Sequence, residues 1–200
     1  KALNHEPLGE SSYTRQDGLW HCFDLHSDFS HPTIETLKTR ATEALTQTGE
    51  ALKQADYLIF TFGTARVHRH IELDQIVANC HKAPASSFEK HLSDLNILQE
   101  TWSELIQRLV DFNPDLAIIF TVSPVRHLKD GLIENTRSKA RLHLLVEALC
   151  EKANCYYFEA YELVTDQLRD YSFYKEDGAH PNQKAIAVVW EHFQQSSLEA

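Results

Sequence analysis

The string Asp177-Gly178-Ala179-His180-Pro181-Asn182 holds the densest chemistry in the chain. A carboxylate three residues before a histidine in a turn can accept the imidazole Nδ1–H. That fixes the tautomer and leaves Nε2 free as a general base. The plainer reading is a turn and a helix cap, with Pro181 opening the helix. Position favours the first reading: the string lies between the last strand pattern and a terminal helix, where the pair is held rigidly.

A second group of residues has the character of a binding site. Arg126, His127 and Lys129 follow one apolar run, Arg66 follows another, and His81 sits in Val77 to Lys82. These are the candidate substrate-binding residues, a basic mouth for a carboxylate, phosphate or anionic sugar. A solvated loop with ion pairs accounts for them equally well. His68 and His70, two apart on a strand, with Cys80 and His81 nearby, raise the idea of a metal. No third ligand has suitable spacing, so no metal site and no cofactor are expected. Ser123 before Pro124 reads as a turn residue, and Ser27 has no strand behind it, so neither is taken as a nucleophile.

These residues need elements to position them. Pro32 opens a helical pattern in which Ile34, Leu37, Ala41, Leu45 and Leu52 share a face. Tyr57 to Phe62 is a continuous apolar run, read as a strand buried on both faces, and Gly63 follows it. Val67 to His70 and Ile76 to Ala78 suggest a hairpin or an extended loop. Ser93 looks like the N-cap of a helix carrying Leu95, Leu98, Trp102, Leu105 and Leu109, and Leu116 to Val122 is a second buried strand. A helix follows from about Asn135 to Lys152, with Ala140, Leu144, Val146, Leu149 and Cys150 inward. Cys155 to Phe158 reads as a strand, Tyr161 to Leu168 as a short helix, and the final helix starts at Pro181. Residues 1–31 read as polar and irregular. Helices alternating with strands predict an α/β fold, a parallel sheet with helices on both faces. Function then collects at the carboxyl ends of the strands, at Gly63 to Arg66, at Ser123 to Lys129 and before Pro181.

With 19 basic against 29 acidic residues the net charge is -10, which argues against binding nucleic acid or an anionic membrane surface. No apolar stretch approaches the roughly 20 residues of a membrane span. Cys22, Cys80, Cys150 and Cys155 show no paired spacing, so a reducing, cytoplasmic compartment is expected. The chain contains no methionine and begins with Lys1, from which a segment upstream is expected.

The DGAHPN string resembles the last signature block of the SGNH (GDSL-like) hydrolases, a superfamily of esterases and deacylases. The chain as a whole more closely resembles the GSCFA family, a bacterial branch of it, through Thr61 to Val67, Val77 to Lys82, Thr121 to Gly131 and Tyr156 to Pro181. A weaker match is GLWHCFDLHSDFS near the start. The resemblance implies one three-layer α/β/α domain over residues 1–200, SGNH-hydrolase-like (flavodoxin-like), with Asp177 and His180 as catalytic residues and Gly63 as an oxyanion donor. Ala65 stands where the superfamily carries an asparagine, and Asn79 is the candidate substitute. The nucleophilic serine and its strand are expected before Lys1. The activity implied is hydrolysis of an ester or N-acyl bond, on an acylated sugar or cell-envelope component. The alternatives are a non-catalytic carbohydrate- or partner-binding member, and an acyl transferase using the same residues.

Overall fold

A computed structural model describes residues 1–4 and 6–198. In chain order the elements are β1 (Tyr13–Gln16), β2 (Leu19–Cys22), α1 (Ile34–Gln54), β3 (Tyr57–Phe62), β4 (Arg66–His70), β5 (Gln75–Val77), β6 (Phe88–Leu92), α2 (Leu95–Phe112), β7 (Ala117–Val122), α3 (Leu132–Cys150), β8 (Cys155–Tyr157), α4 (Ala160–Glu162) and α5 (Gln183–Phe193). The fold is mixed α/β, with a parallel three-stranded sheet and, among the described residues, five α-helices. None of the described helices is long and apolar enough to cross a membrane.

The chain divides into two compact units. The first comprises residues 1–55, 66–93 and 106–115, and contains two antiparallel sheets. β1 and β2 form a hairpin across Asp17-Gly18, both at positive φ (50° and 79°), in a stretch read from sequence as irregular. A two-residue Asp-Gly loop with both φ positive matches the right-handed twist of the strands it joins. β4 is the middle strand of the other sheet, antiparallel to β5 as the hairpin reading expected and to β6, which the sequence reading missed.

The second unit comprises residues 56–65, 94–105 and 116–200. Its sheet has the order β3-β7-β8, all parallel. β7 is central, and Ile118, Phe120 and Val122 are completely buried while Ile119 and Thr121 are nearly so, as a strand covered on both faces requires. β3 departs from the expectation. Tyr57 is 56% exposed and Ile59 48%, because β3 is an edge strand whose alternate residues face different surroundings. Its Phe60 and Phe62 pack edge-on against Trp102 of α2, at 5.0 and 4.7 Å between ring centroids, and stack on Phe120. Ile119 belongs instead to a cluster with Phe158, Ala160, Leu163 and Phe193, the last from α5.

Several element ends also differ from expectation. Asp94, not Ser93, starts α2: its Oδ1 accepts from the backbone N–H groups of Asn96 and Ile97. The third helix begins at Leu132, and Leu144 on it is 47% exposed rather than inward. The short helix is one turn, Ala160–Glu162, running on as a π-helical turn through Gln167. Pro181 lies outside α5. It pairs with Tyr174 in an isolated antiparallel bridge, and Asn182 takes the N-cap.

Candidate active site

The Asp177–His180 turn is built almost wholly from local hydrogen bonds. Lys175 donates its backbone N–H to the His180 carbonyl (2.8 Å), and Gly178 donates to the Lys175 carbonyl (2.9 Å). Gly178 sits at φ 62°, where a side chain is disfavoured. Within this loop Asp177 Oδ1 accepts the backbone N–H groups of Ala179 (2.9 Å) and His180 (3.0 Å), while Oδ2 lies 2.6 Å from His180 Nδ1. The His180 backbone N–H, then that of Ala179, then the imidazole hold the Asp177 carboxyl down to about 2. An ionised Asp177 can only accept, so Nδ1 is the donor in this pair and Nε2 is free to take a proton. Both side chains are about half exposed.

Asn182 fastens the turn to its surroundings. Its Oδ1 accepts from the N–H groups of Lys184 and Ala185 at the start of α5, and its Nδ2 donates to the carbonyls of Ser172 (2.6 Å) and Tyr174 (3.2 Å). From the other side the loop after β7 holds the turn. Arg126 donates its backbone N–H to the Ala179 carbonyl (3.1 Å) and its Nη1 to the Gly178 carbonyl (3.3 Å). Its guanidinium lies over the rings of Tyr174 and Tyr171, at 4.3 and 5.3 Å from their centroids. Arg126 thus braces the turn. His127 donates its N–H to Asn135 Oδ1, and Lys129 lies exposed in a 3-10 turn.

Gly63 and Ser123 follow directly on the paired ends of β3 and β7, where Phe62 stands opposite Val122. The Phe62 carbonyl accepts from Ser123 N–H (2.9 Å). In a trans peptide the C=O and the next N–H point in opposite directions, so the Gly63 N–H points away from β7, toward the other edge of β3. A Cβ at Gly63 would stand 3.8 Å from His127 Nε2, so His127 faces this glycine. Ala65 is buried, and its N–H goes to Ser138 Oγ (2.7 Å), which also pairs with Thr64 Oγ1 (2.9 Å). The alanine offers no side-chain donor at this place.

Sequence reasoning passed over Lys139 of α3. It is 2% exposed, and its Nζ donates to the carbonyls of Gly63 (2.6 Å) and Ser123 (2.5 Å). Burial holds its pKa down to about 8. The available signal was helical spacing, since Leu142, Val146 and Leu149 fall three, seven and ten residues on and all are buried.

His180, Lys175, Ser123, Thr61 and Thr121 border a cavity of about 500 Å³ whose remaining walls are apolar, Phe158 and Trp190 among them. Thr121 Oγ1, buried there, has no hydrogen-bond partner.

Three candidates lie in the first unit. Arg66 opens β4, opposite Leu92. Asn79 donates to Ser27 Oγ (3.3 Å) and accepts the His81 N–H (2.9 Å). His81 is buried at a left-handed φ of 49°, its Nε2 2.6 Å from the Cys22 carbonyl and its Nδ1 3.4 Å from Ser27 Oγ. Burial lowers its pKa. His70 packs against Phe23 and Phe88. Among the described residues no three His, Cys, Asp or Glu side chains are grouped to hold a metal ion. The second unit thus brings together Asp177, His180, Arg126, His127, Gly63, Ser123 and Lys139.

The model of the GSCFA family matches residues 1–193. No curated protein and no solved structure matches the chain.

Proposed function

We propose that the chain, which belongs to the GSCFA family and sets an aspartate-held imidazole on the border of a cavity, is an SGNH-like serine hydrolase of three-layer α/β/α build. Its substrate is an ester or N-acyl bond, such as that of an acylated sugar or a cell-envelope component. The observation that carries this reading is the 2.6 Å contact between Asp177 Oδ2 and His180 Nδ1 on a half-exposed ring bordering that cavity.

In this reading a serine hydroxyl, the nucleophile expected of that superfamily, attacks the carbonyl carbon. His180 Nε2 takes the hydroxyl proton as the C–O bond forms, and the carbonyl oxygen becomes an oxyanion. Gly63 N–H, which β3 leaves pointing away from β7, is one donor for that oxyanion. The imidazolium then gives its proton to the leaving oxygen or nitrogen, and the acyl–serine bond is cleaved by water activated in the same way. Asp177 stays ionised throughout, since its carboxyl is held at about 2. His127 and Lys129, in the loop after β7, are proposed substrate contacts, while Arg126 braces the His180 turn. The four free cysteines support a reducing, cytoplasmic setting.

One observation favours a second reading, a non-catalytic carbohydrate- or partner-binding member. Ala65 offers no side-chain donor and its backbone N–H is already spent on Ser138. Hydrolysis of p-nitrophenyl acetate by the full-length protein, with labelling by a fluorophosphonate, separates the two. The hydrolase reading expects turnover and labelling, with turnover abolished in His180→Ala. Unlabelled, inactive protein supports the binding module, and unchanged turnover in His180→Ala removes this histidine from the mechanism.

A further inference from the structure

Lys139 calls for a reason. Taking an ammonium out of water is costly, and such a group is ordinarily paired with a carboxylate. Lys139 instead bonds two backbone carbonyls, those of Gly63 and Ser123. An apolar residue at this place in α3 would continue the stripe of Leu142, Val146 and Leu149 without any such cost. The two carbonyls belong to the first residues beyond β3 and β7. From the first hangs the Gly63 peptide. From the second runs the loop in which Val125 N–H bonds Ser123 Oγ and Arg126 takes hold of the Ala179 and Gly178 carbonyls of the His180 turn.

We propose that Lys139 is a positioning residue of the site. Its ammonium clamps the Gly63 and Ser123 carbonyls together, so that the oxyanion donor on one strand end and the His180 turn docked on the other keep one fixed spacing. This rests on the hydrolase reading above. The clamp touches no substrate and acts only through backbone. Fixing reacting groups relative to one another is worth orders of magnitude in rate when the geometry must match the transition state.

His143 lies one turn along α3 and has its pKa lowered by burial and by the Lys139 charge, against the pull of Glu162. His127 faces Gly63 from the loop after β7. Burial alone lowers Lys139 itself, to about 8, so the clamp is charged at neutral pH and gives up its proton just above it.

The test uses the full-length protein with p-nitrophenyl acetate, comparing wild type, Lys139→Met and His180→Ala. The expected result is a kcat about 10²-fold lower in Lys139→Met with KM nearly unchanged, the signature of a defect felt in the transition state. The wild-type kcat should also fall above about pH 8, and this alkaline limb should vanish in the variant. A Lys139→Met kcat within about threefold of wild type, with His180→Ala inactive, overturns the clamp while leaving the hydrolase reading intact. A fully active His180→Ala overturns the hydrolase reading instead. A measurement independent of turnover, and of whether the variant folds, is carbon-13 NMR of the wild type through the same pH range. The Gly63 and Ser123 carbonyl resonances and the Ala179 carbonyl resonance of the docked turn should move together with a midpoint near 8. Gly63 and Ser123 carbonyls that titrate while the Ala179 carbonyl stays still would overturn the positioning role.

Discussion

The burial of Lys139 makes a thermodynamic prediction that needs no substrate. Its pKa is 10.5 in an exposed chain and about 8 in the folded one. At 1.36 kcal/mol per unit, the protonated folded state carries a penalty of about 3 kcal/mol. The sign follows from proton counts. Below about pH 8 both states hold the proton, so stability is flat and the penalty is fully present. Between about 8 and 10.5 the unfolded chain holds a proton that the folded one has released, so stability rises with pH by up to about 1.4 kcal/mol per unit. Other groups oppose the trend. Burial raises the thiols of Cys22, Cys80, Cys150 and Cys155 and the hydroxyl of Tyr157, so the folded state keeps protons that the unfolded chain loses. Above about pH 9 these groups lower stability.

Comparing wild type with Lys139→Met isolates the lysine, because the cysteines and Tyr157 are common to both. Methionine fills most of the same volume without the charge. It leaves the Gly63 and Ser123 carbonyls without their donor, a cost that does not vary with pH. Urea unfolding at a series of pH values should show wild-type stability gaining about 2 kcal/mol on the variant from about pH 8 to 9.5, with a constant difference between about 7 and 7.5. Starting at about pH 7 keeps clear of His143, whose lowered pKa depends in part on the Lys139 charge. Parallel curves through pH 9.5 would mean that the ammonium is not desolvated, and the reasoning from burial to clamp would fail.

Three further substitutions test the turn and the strand ends. Asp177→Asn keeps an Oδ1 acceptor for the Ala179 and His180 N–H groups but turns an amide toward Nδ1, which forces the proton onto Nε2. Ester-hydrolysis kcat should drop about 10³–10⁴-fold while circular dichroism is unchanged. The wild-type carboxyl is held at about 2, so its stabilising contribution is complete above about pH 4 and is lost as pH falls toward 2, a difference acid unfolding of the two proteins would show. Ser138→Ala strips a buried partner from Ala65 N–H and Thr64 Oγ1, and should cost about 1–3 kcal/mol in urea unfolding. Asn182→Ala removes the α5 cap and two bonds to the chain before the His180 turn. It should cost about 1–2 kcal/mol and also lower kcat, which separates it from a cap remote from the site.

What could be read in the sequence tracks the distance over which each feature is determined. The Asp177–His180 pair is legible because its partners lie within three residues of one another, so the turn is written in the string that names it. β7 is legible because a central parallel strand buries both faces and shows as an unbroken apolar run. The run at Tyr57 to Phe62 looks the same, yet β3 lies at the edge of its sheet, and edge position is decided by which strands pair rather than by composition. Asp17-Gly18 was a local hairpin signal in a stretch whose polar composition masked it. Arg126 read as a substrate cation because its charge is visible in the sequence, whereas the carbonyls it braces 52 and 53 residues away are not. Lys139 is the limiting case. Its partners lie 16 and 76 residues distant and are backbone oxygens, which every residue possesses, so no residue type elsewhere in the chain announces them. What the sequence does carry is the anomaly itself, a lysine in register with Leu142, Val146 and Leu149 on the face of α3 that must be dry. A charged residue on a buried stripe has to find polar groups that the fold brings to it. At the carboxyl end of a parallel sheet those groups are the carbonyls of residues just past the strands, which is also where an α/β protein keeps its chemistry.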